Sequence, residues 1–162
     1  MFDFHLQNGA DLSQEDDNRY NILHMAGQGG NMELVKYVLA QNIVKNSRSD
    51  AGWTSALETA NEGHTEVLKV LVSEGADPTL VNRENNNIIH VALKGKHMDT
   101  VKYVFANDFV EIDNRNIEGM TAVMLAVDEG LAEIFDLIVR KGSNLPLVND
   151  DKQNILHMAC DE

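Results

Sequence analysis

A six-residue segment occurs three times in this chain and sets the spacing of its other features. Residues 21–26 and 154–159 both read Asn-Ile-Leu-His-Met-Ala, and residues 87–92 read Asn-Ile-Ile-His-Val-Ala. Aligned on their histidines, His24 and His90 are 66 residues apart, which is two steps of 33. A segment repeated at this interval indicates a structural unit that is built repeatedly. Such units stack into a solenoid, because each one buries its apolar face only against its neighbours.

The same interval continues through the parts of the chain that lack the repeated segment. Leu57 lies midway between the first two histidines, and Met124 follows His90 by 34 residues. His157 then follows Met124 by 33, so one residue is inserted, and we expect it in the loop of residues 107–113. The period divides the chain of 162 residues into partial units at 1–15 and 149–162 and full units at 16–48, 49–81, 82–115 and 116–148.

Each unit is predicted to contain two short helices joined by a tight turn. The repeated segment begins the first helix, and its asparagine suits the position that caps a helix N-terminus. A glycine at one register follows three of these helices, as is common at helix C-termini, and Lys96 stands there in the third unit. From this register we expect Leu23, Ile89 and Leu156 to face the core, Ala26, Ala92 and Ala159 to permit close packing, and Cys160 to be a small core residue.

The second helix of each unit carries apolar residues at the spacing of one helical face, for example Val67, Leu68 and Leu71. Acidic residues precede basic ones by three positions on its other face, which is typical of a solvated helix surface. The pairs are Glu33 with Lys36, Glu66 with Lys69, and Asp99 with Lys102.

The histidines invite a chemical interpretation as metal ligands or catalytic bases. Residues one unit apart lie on helices about 8–10 Å apart, and His24, His90 and His157 are two units apart. A zinc ion needs its ligands at roughly 2 Å. We therefore expect structural histidines that bond to the backbone of neighbouring loops, because buried polar groups are normally satisfied in this way.

The period, the turn Glu-Gly-Ala-Asp-Pro at residues 74–78, the segment of residues 52–64 and the repeated segment together resemble the ankyrin repeat. The family's proline is missing from the second position of the segment, and asparagine replaces threonine in three of five units. The resemblance implies an all-α solenoid of stacked helix-turn-helix units with protruding loops. It also implies a non-catalytic protein that binds partners along a concave surface of loop tips and first helices.

Composition bounds the partners and the location. The formal net charge of −13 argues against nucleic acid and anionic membranes, and it favours a basic partner or simply keeps the protein soluble. A single cysteine fits a reducing compartment, and no stretch is predicted to span a membrane or to act as a secretion signal. We expect an intracellular monomer, cytoplasmic or alternatively nuclear, that needs no cofactor and no metal.

No catalytic constellation is found in the sequence, since neighbouring acids such as Asp128 and Glu129 do not face each other on a helix. Two hypotheses stay open: a protein-interaction module, or the regulatory or targeting segment of a larger enzyme or channel. Mapping the family's binding surface onto this chain gives possible anchors and a set of acidic residues. The partner-binding candidates are Tyr20, Trp53, Met120, Asp50, Glu62, Glu84, Glu118, Asp128 and Glu129.

Overall fold

The computed structural model describes residues 11–41 and 43–160, and the expected partial unit at 1–15 therefore lies mostly outside it. Nine helices form in the described part, and no strand does; an isolated bridge joins Glu15 and Asn21. The helices are α1 Ile22–Gln28, α2 Met32–Leu39, α3 Ser55–Asn61, α4 Thr65–Ser73, α5 Ile88–Lys94, α6 Met98–Ala106, α7 Ala122–Asp128, α8 Ala132–Arg140 and α9 Ile155–Cys160.

The helices form pairs that stack in chain order, as the period predicts. Each pair contacts within its unit: α1 with α2, α3 with α4, α5 with α6, and α7 with α8. The first helices stack on one another from α1 through α3, α5 and α7 to α9, and α4 contacts both α2 and α6. The all-α solenoid expected from the sequence is therefore confirmed.

Helix ends follow the capping chemistry that the repeat predicts. The side chain of Asn87 accepts hydrogen bonds from the backbone amides of Ile89 and His90, so it caps α5. After α3, Gly63 adopts φ +74°, and a Cβ there would come within 2.3 Å of the His97 ring. A left-handed backbone conformation beside a close neighbour favours glycine at this position. Lys96 stands at the same register in the next unit and also has a positive φ of 57°.

The hydrophobic core runs along the interior of the stack and is buried from solvent in the inner units. Leu57, Leu68, Ile89 and Met124 are each at most 1% exposed. The expectation for the last unit was wrong, because Leu156 is 72% exposed, and Ala159 and Cys160 are exposed as well. The inner helix α5 has α3 on one side and α7 on the other, whereas α9 packs on α7 and no described helix covers its far side.

Ion pairs on the second helices follow the sequence prediction only in part. Lys69 does pair with Glu66 over 2.6 Å within α4. Lys102 instead pairs over 2.6 Å with Glu133 of the following unit rather than with Asp99. A salt bridge between units competes here with one along the helix, and both are exposed and therefore weak.

The loops between units are joined by one backbone hydrogen bond at each step. The amide of Asp50 donates to the carbonyl of Asn18, and the amides of Arg83, Ile117 and Asp150 repeat this contact one unit later each time. The donor–acceptor distances lie between 2.9 and 3.2 Å. The protruding loops are therefore held in a fixed register beside the first helices.

Candidate partner-binding groove

The loops lie against the first helices, and we refer to the residues at this junction as the groove. Its floor is one position of the first helices, occupied in chain order by Met25, Glu58, Val91, Leu125 and Met158. Its wall is one position of the loops, occupied by Tyr20, Trp53, Asn86, Met120 and Gln153. A direct contact joins wall and floor, because the Tyr20 hydroxyl donates a hydrogen bond to Oε1 of Glu58 over 2.7 Å.

The histidines of the repeated segment hold the loops to the first helices. Nε2 of His24 donates to the carbonyl of Trp53, and Nε2 of His90 donates to the carbonyl of Met120, each over 3.1 Å. The other ring nitrogen, Nδ1, accepts from the backbone amide of the capping asparagine in the same unit. The structural role expected for these two histidines is confirmed.

Burial adjusts the titration of these two rings. It lowers the pKa of His24, and it lowers the pKa of His90 to about 4, so both rings are neutral at physiological pH. His157 lies exposed in the last unit, and among the described residues it makes only the local contact, with Nδ1 accepting from the backbone amide of Asn154 over 3.2 Å. No cluster of potential metal ligands occurs among residues 11–41 and 43–160.

Two of the predicted anchors, Tyr20 and Trp53, are half-buried in the groove wall. Burial, followed by the hydrogen bond to Glu58, raises the pKa of the Tyr20 hydroxyl to about 12. Trp53 packs against the core and is still partly exposed. Both residues therefore retain apolar surface that a partner can cover.

Met120 differs from the other two predicted anchors. It is 7% exposed, and the side-chain amide of Asn149 in the following loop donates to its sulfur over 3.7 Å. A methionine is flexible enough to fold under the next loop, whereas the larger aromatic rings are only partly covered. Its burial favours the packing of Met120 on the adjacent loop over a contact with a partner, and its role as an anchor stays a prediction.

The predicted acidic residues lie along the groove, and their neighbours differ. Asp50, Glu62 and Asp128 are exposed and have no ion-pair partner within the described part of the chain. Oε2 of Glu84 accepts a hydrogen bond from the side-chain amide of Asn86 over 2.8 Å.

Two further acids of the predicted set face cations. Glu118 lies 4.0 Å from Lys94, and Glu129 lies 3.2 Å from Lys96. The charges of these two acids are therefore partly neutralised by lysines of the preceding unit.

Sequence reasoning missed Glu58, which is 4% exposed on the groove floor. Burial raises the pKa of its carboxyl, and the neighbouring carboxylate of Glu62 acts in the same direction. The signal was present in the register, since the other four units have an apolar residue at this floor position.

Comparison with known proteins identifies the repeat. The family model described as ankyrin repeats matches in three copies, over residues 1–82 and 57–149. Ankyrin repeat and KH domain-containing protein mask-1 of Caenorhabditis elegans is 28% identical over 142 residues, which are 86% of this chain and 5% of that protein.

Two further relatives are named as an enzyme and a channel. Putative palmitoyltransferase ZDHHC13 of Danio rerio is 26% identical over 154 residues, 93% of this chain and 24% of that protein. Transient receptor potential cation channel subfamily A member 1 of Homo sapiens is 25% identical over 134 residues, 82% of this chain and 12% of that protein. The chain thus spans a quarter or less of each of these relatives. None of its described helices has the length and apolar character needed to cross a membrane.

Proposed function

Because the chain belongs to the ankyrin-repeat family, we propose that it binds a partner protein along the groove and catalyses no reaction itself. The partner presents a basic surface or a basic extended peptide. The observation that carries this proposal is the exposed acidic pair Asp50 and Glu62 beside the half-buried rings of Tyr20 and Trp53. An interface commonly combines aromatic anchors with a charged rim in this manner.

The two kinds of residue would act at different stages of binding. Exposed carboxylates attract a basic partner over a distance of about 8 Å at physiological salt, so they raise the association rate. The aromatic rings lose water only in the complex, so they slow dissociation. The net charge of −13 supports the role of the carboxylates in association, because the whole chain attracts a basic partner.

A second candidate function is supported by the relatives rather than by the groove. The names of two of them are those of a palmitoyltransferase and a cation channel, and this chain matches only a part of each. In this candidate the chain is the regulatory or targeting segment of a larger enzyme or channel. In either case we propose an intracellular protein, cytoplasmic or nuclear. We also propose that the chain is a monomer.

The proposal is tested by capturing partners from a lysate on the immobilised chain and then measuring their binding rates. Charge reversal of Asp128 and Glu129 to lysine should slow association, and the effect should shrink as salt rises. The same reversal of Asp50 and Glu62 should slow it more, because Glu129 is already paired with Lys96.

The matched control reverses charge on two of the second helices, α2 and α6, on the side of the stack away from the groove. Its changes are Glu33 and Asp99 to lysine. If the outer reversal slows association and neither groove reversal does, the groove is not the interface. The outer face with Lys36, Lys69 and Lys102 then becomes the next candidate.

A further inference from the structure

One residue departs from the pattern of the groove floor. Four units place an apolar side chain at this position, namely Met25, Val91, Leu125 and Met158, and the second full unit places Glu58 there. The Glu58 side chain is as buried as its apolar counterparts in the third and fourth units, at 4% exposed. Burying a carboxylate among apolar groups is unfavourable for folding, and such departures concentrate at functional positions.

The hydrogen bonding of Glu58 is incomplete. Oε1 accepts from the Tyr20 hydroxyl over 2.7 Å, and Oε2 has no hydrogen-bond partner or cation among the described residues. Oε2 is not among the fully enclosed polar atoms without a partner, so it retains some exposed surface. One oxygen is therefore held in place by the protein, and the other is open to a donor from outside.

The surroundings of Glu58 suit a long cationic side chain. Glu62 is the C-cap residue of α3, one turn after Glu58. It is exposed, so it adds a second carboxylate near Glu58. Met25, which occupies the neighbouring floor position on α1, is 56% exposed. Lysine and arginine combine an apolar stem with a charged head, and this combination matches an exposed methionine beside buried and exposed carboxylates.

We propose that Glu58 accepts the charged head of one lysine or arginine side chain of the partner, while Tyr20 holds the carboxylate and Met25 covers the apolar stem. This inference rests on the proposed function and specifies it further, since it fixes the basic segment to the second unit. Glu58 is then the residue that selects for a cation at one point of the groove. The other acids act mainly through their combined charge.

The probe for this inference is fluorescently labelled hexalysine at low salt, with hexalysine acetylated on every side-chain amine as the uncharged control. Hexalysine should bind, and Glu58→Gln should weaken its binding by about tenfold or more, because a desolvated charge loses its partner. Glu84→Gln removes the same formal charge from an exposed loop position. It should weaken binding by about twofold or less, as expected for a rim charge.

A third variant separates recognition from folding. Glu58→Met restores the apolar residue of the other units, so it should raise the melting temperature and still reduce the preference for hexalysine over its acetylated form by about tenfold, as Glu58→Gln does. In the unaltered chain, adding hexalysine should shift the NMR signals of the Glu58 carboxyl carbon and the Met25 methyl group. This readout does not depend on any variant folding.

The possible outcomes distinguish this inference from the proposed function. Equal weakening by Glu58→Gln and Glu84→Gln would overturn the role of Glu58 and leave a groove that binds through its general charge. The inference is equally overturned if the Glu58 carboxyl signal stays fixed while hexalysine binds. Absence of hexalysine binding to the unaltered chain would overturn both the inference and the basic partner of the proposed function.

Discussion

The two ends of the groove are built from the same repeat and differ in what they leave open. At the N-terminal end, Tyr20, Met25 and Trp53 keep exposed apolar surface, and Asp50 and Glu62 have no cation beside them within the described residues. At the C-terminal end, Met120 and Leu125 are buried, and Glu118 faces Lys94. At these positions the second end is therefore more buried and partly neutralised, although Ile117 and Leu156 are exposed there, and we expect the interface at the first end.

The difference shows that the repeat determines the backbone position of a residue more firmly than the solvent exposure of its side chain. Trp53 and Met120 share one wall position, and the backbone carbonyl of each accepts a hydrogen bond from a histidine. Their side chains differ in exposure although the following loop supplies an asparagine at the same register in both cases. The side-chain amide of Asn149 donates to the Met120 sulfur, whereas the side-chain amide nitrogen of Asn82, its counterpart after Trp53, is buried without a partner among the described residues.

The largest expected effect comes from the C-terminal end. Met120→Ala should lower the free energy of unfolding by about 2–5 kcal/mol, because it leaves a cavity under the Asn149 loop. Chemical denaturation measures this loss, and partner affinity below the unfolding transition should stay unchanged. A variant that keeps its stability and loses its partner would break the comparison between the two ends.

At the N-terminal end, Trp53→Ala should weaken partner binding by about 2 kcal/mol or more if the ring is an anchor, mainly through faster dissociation. Surface plasmon resonance with the captured partner separates the two rates. Tyr37→Ala on α2 is the control, since Tyr37 is a similarly exposed aromatic residue away from the groove. If Tyr37→Ala has the larger effect on dissociation, the anchor lies elsewhere.

The repeated segment places the same histidine in an inner unit, as His90, and in the last unit, as His157, so the two can be compared directly. His90→Ala should cost about 1–3 kcal/mol of unfolding free energy, because it strands the carbonyl of Met120 and the amide of Asn87. His157→Ala should cost well under that, since His157 is exposed and makes only a local contact within the described part of the chain. Equal losses in urea melts would contradict the assigned roles, and stoichiometric zinc lost with His90 would replace them.

The smallest expected effect is a pH dependence tied to His90. Its pKa falls to about 4 in the folded chain because burial disfavours the charged ring, and an unfolded histidine has a pKa near 6.5. Between these values the unfolded chain binds more protons. The stability that the neutral ring provides is therefore complete above pH 6.5 and is lost as pH falls towards 4.

The measurement is the stability difference between the unaltered chain and His90→Ala at two pH values. The difference should be about 1 kcal/mol smaller at pH 5.5 than at pH 7.5. Taking a difference removes the opposite contribution of Glu58, whose raised pKa makes protonation favour the folded state. A difference that grows as pH falls would contradict the depressed pKa of His90.

The period alone was sufficient to predict the helix pairs, their order and the caps, because stacking and capping depend on residues within one unit and its neighbour. Exposure in the last unit could not be predicted this way, since Leu156 lies on a helix whose far side no described helix covers. The burial of Met120 also escaped prediction, because it depends on how its flexible side chain packs under the following loop and contacts Asn149. The repeat alignment shows that Glu58 occupies an otherwise apolar position. Its burial could not be predicted from this alone, because a single acidic residue on a helix is usually exposed to solvent.

The central claim is that a partner occupies the open N-terminal end of the groove, and the methionine methyl signals of the chain test it directly. Met25 lies on the exposed floor at that end, and Met120 and Met124 are buried in the fourth full unit. NMR spectra of methyl-labelled methionine are recorded while the captured partner is added to saturation. The account predicts a large shift for Met25 and small shifts for Met120 and Met124. Large shifts for Met120 and Met124 with an unchanged Met25 would contradict it.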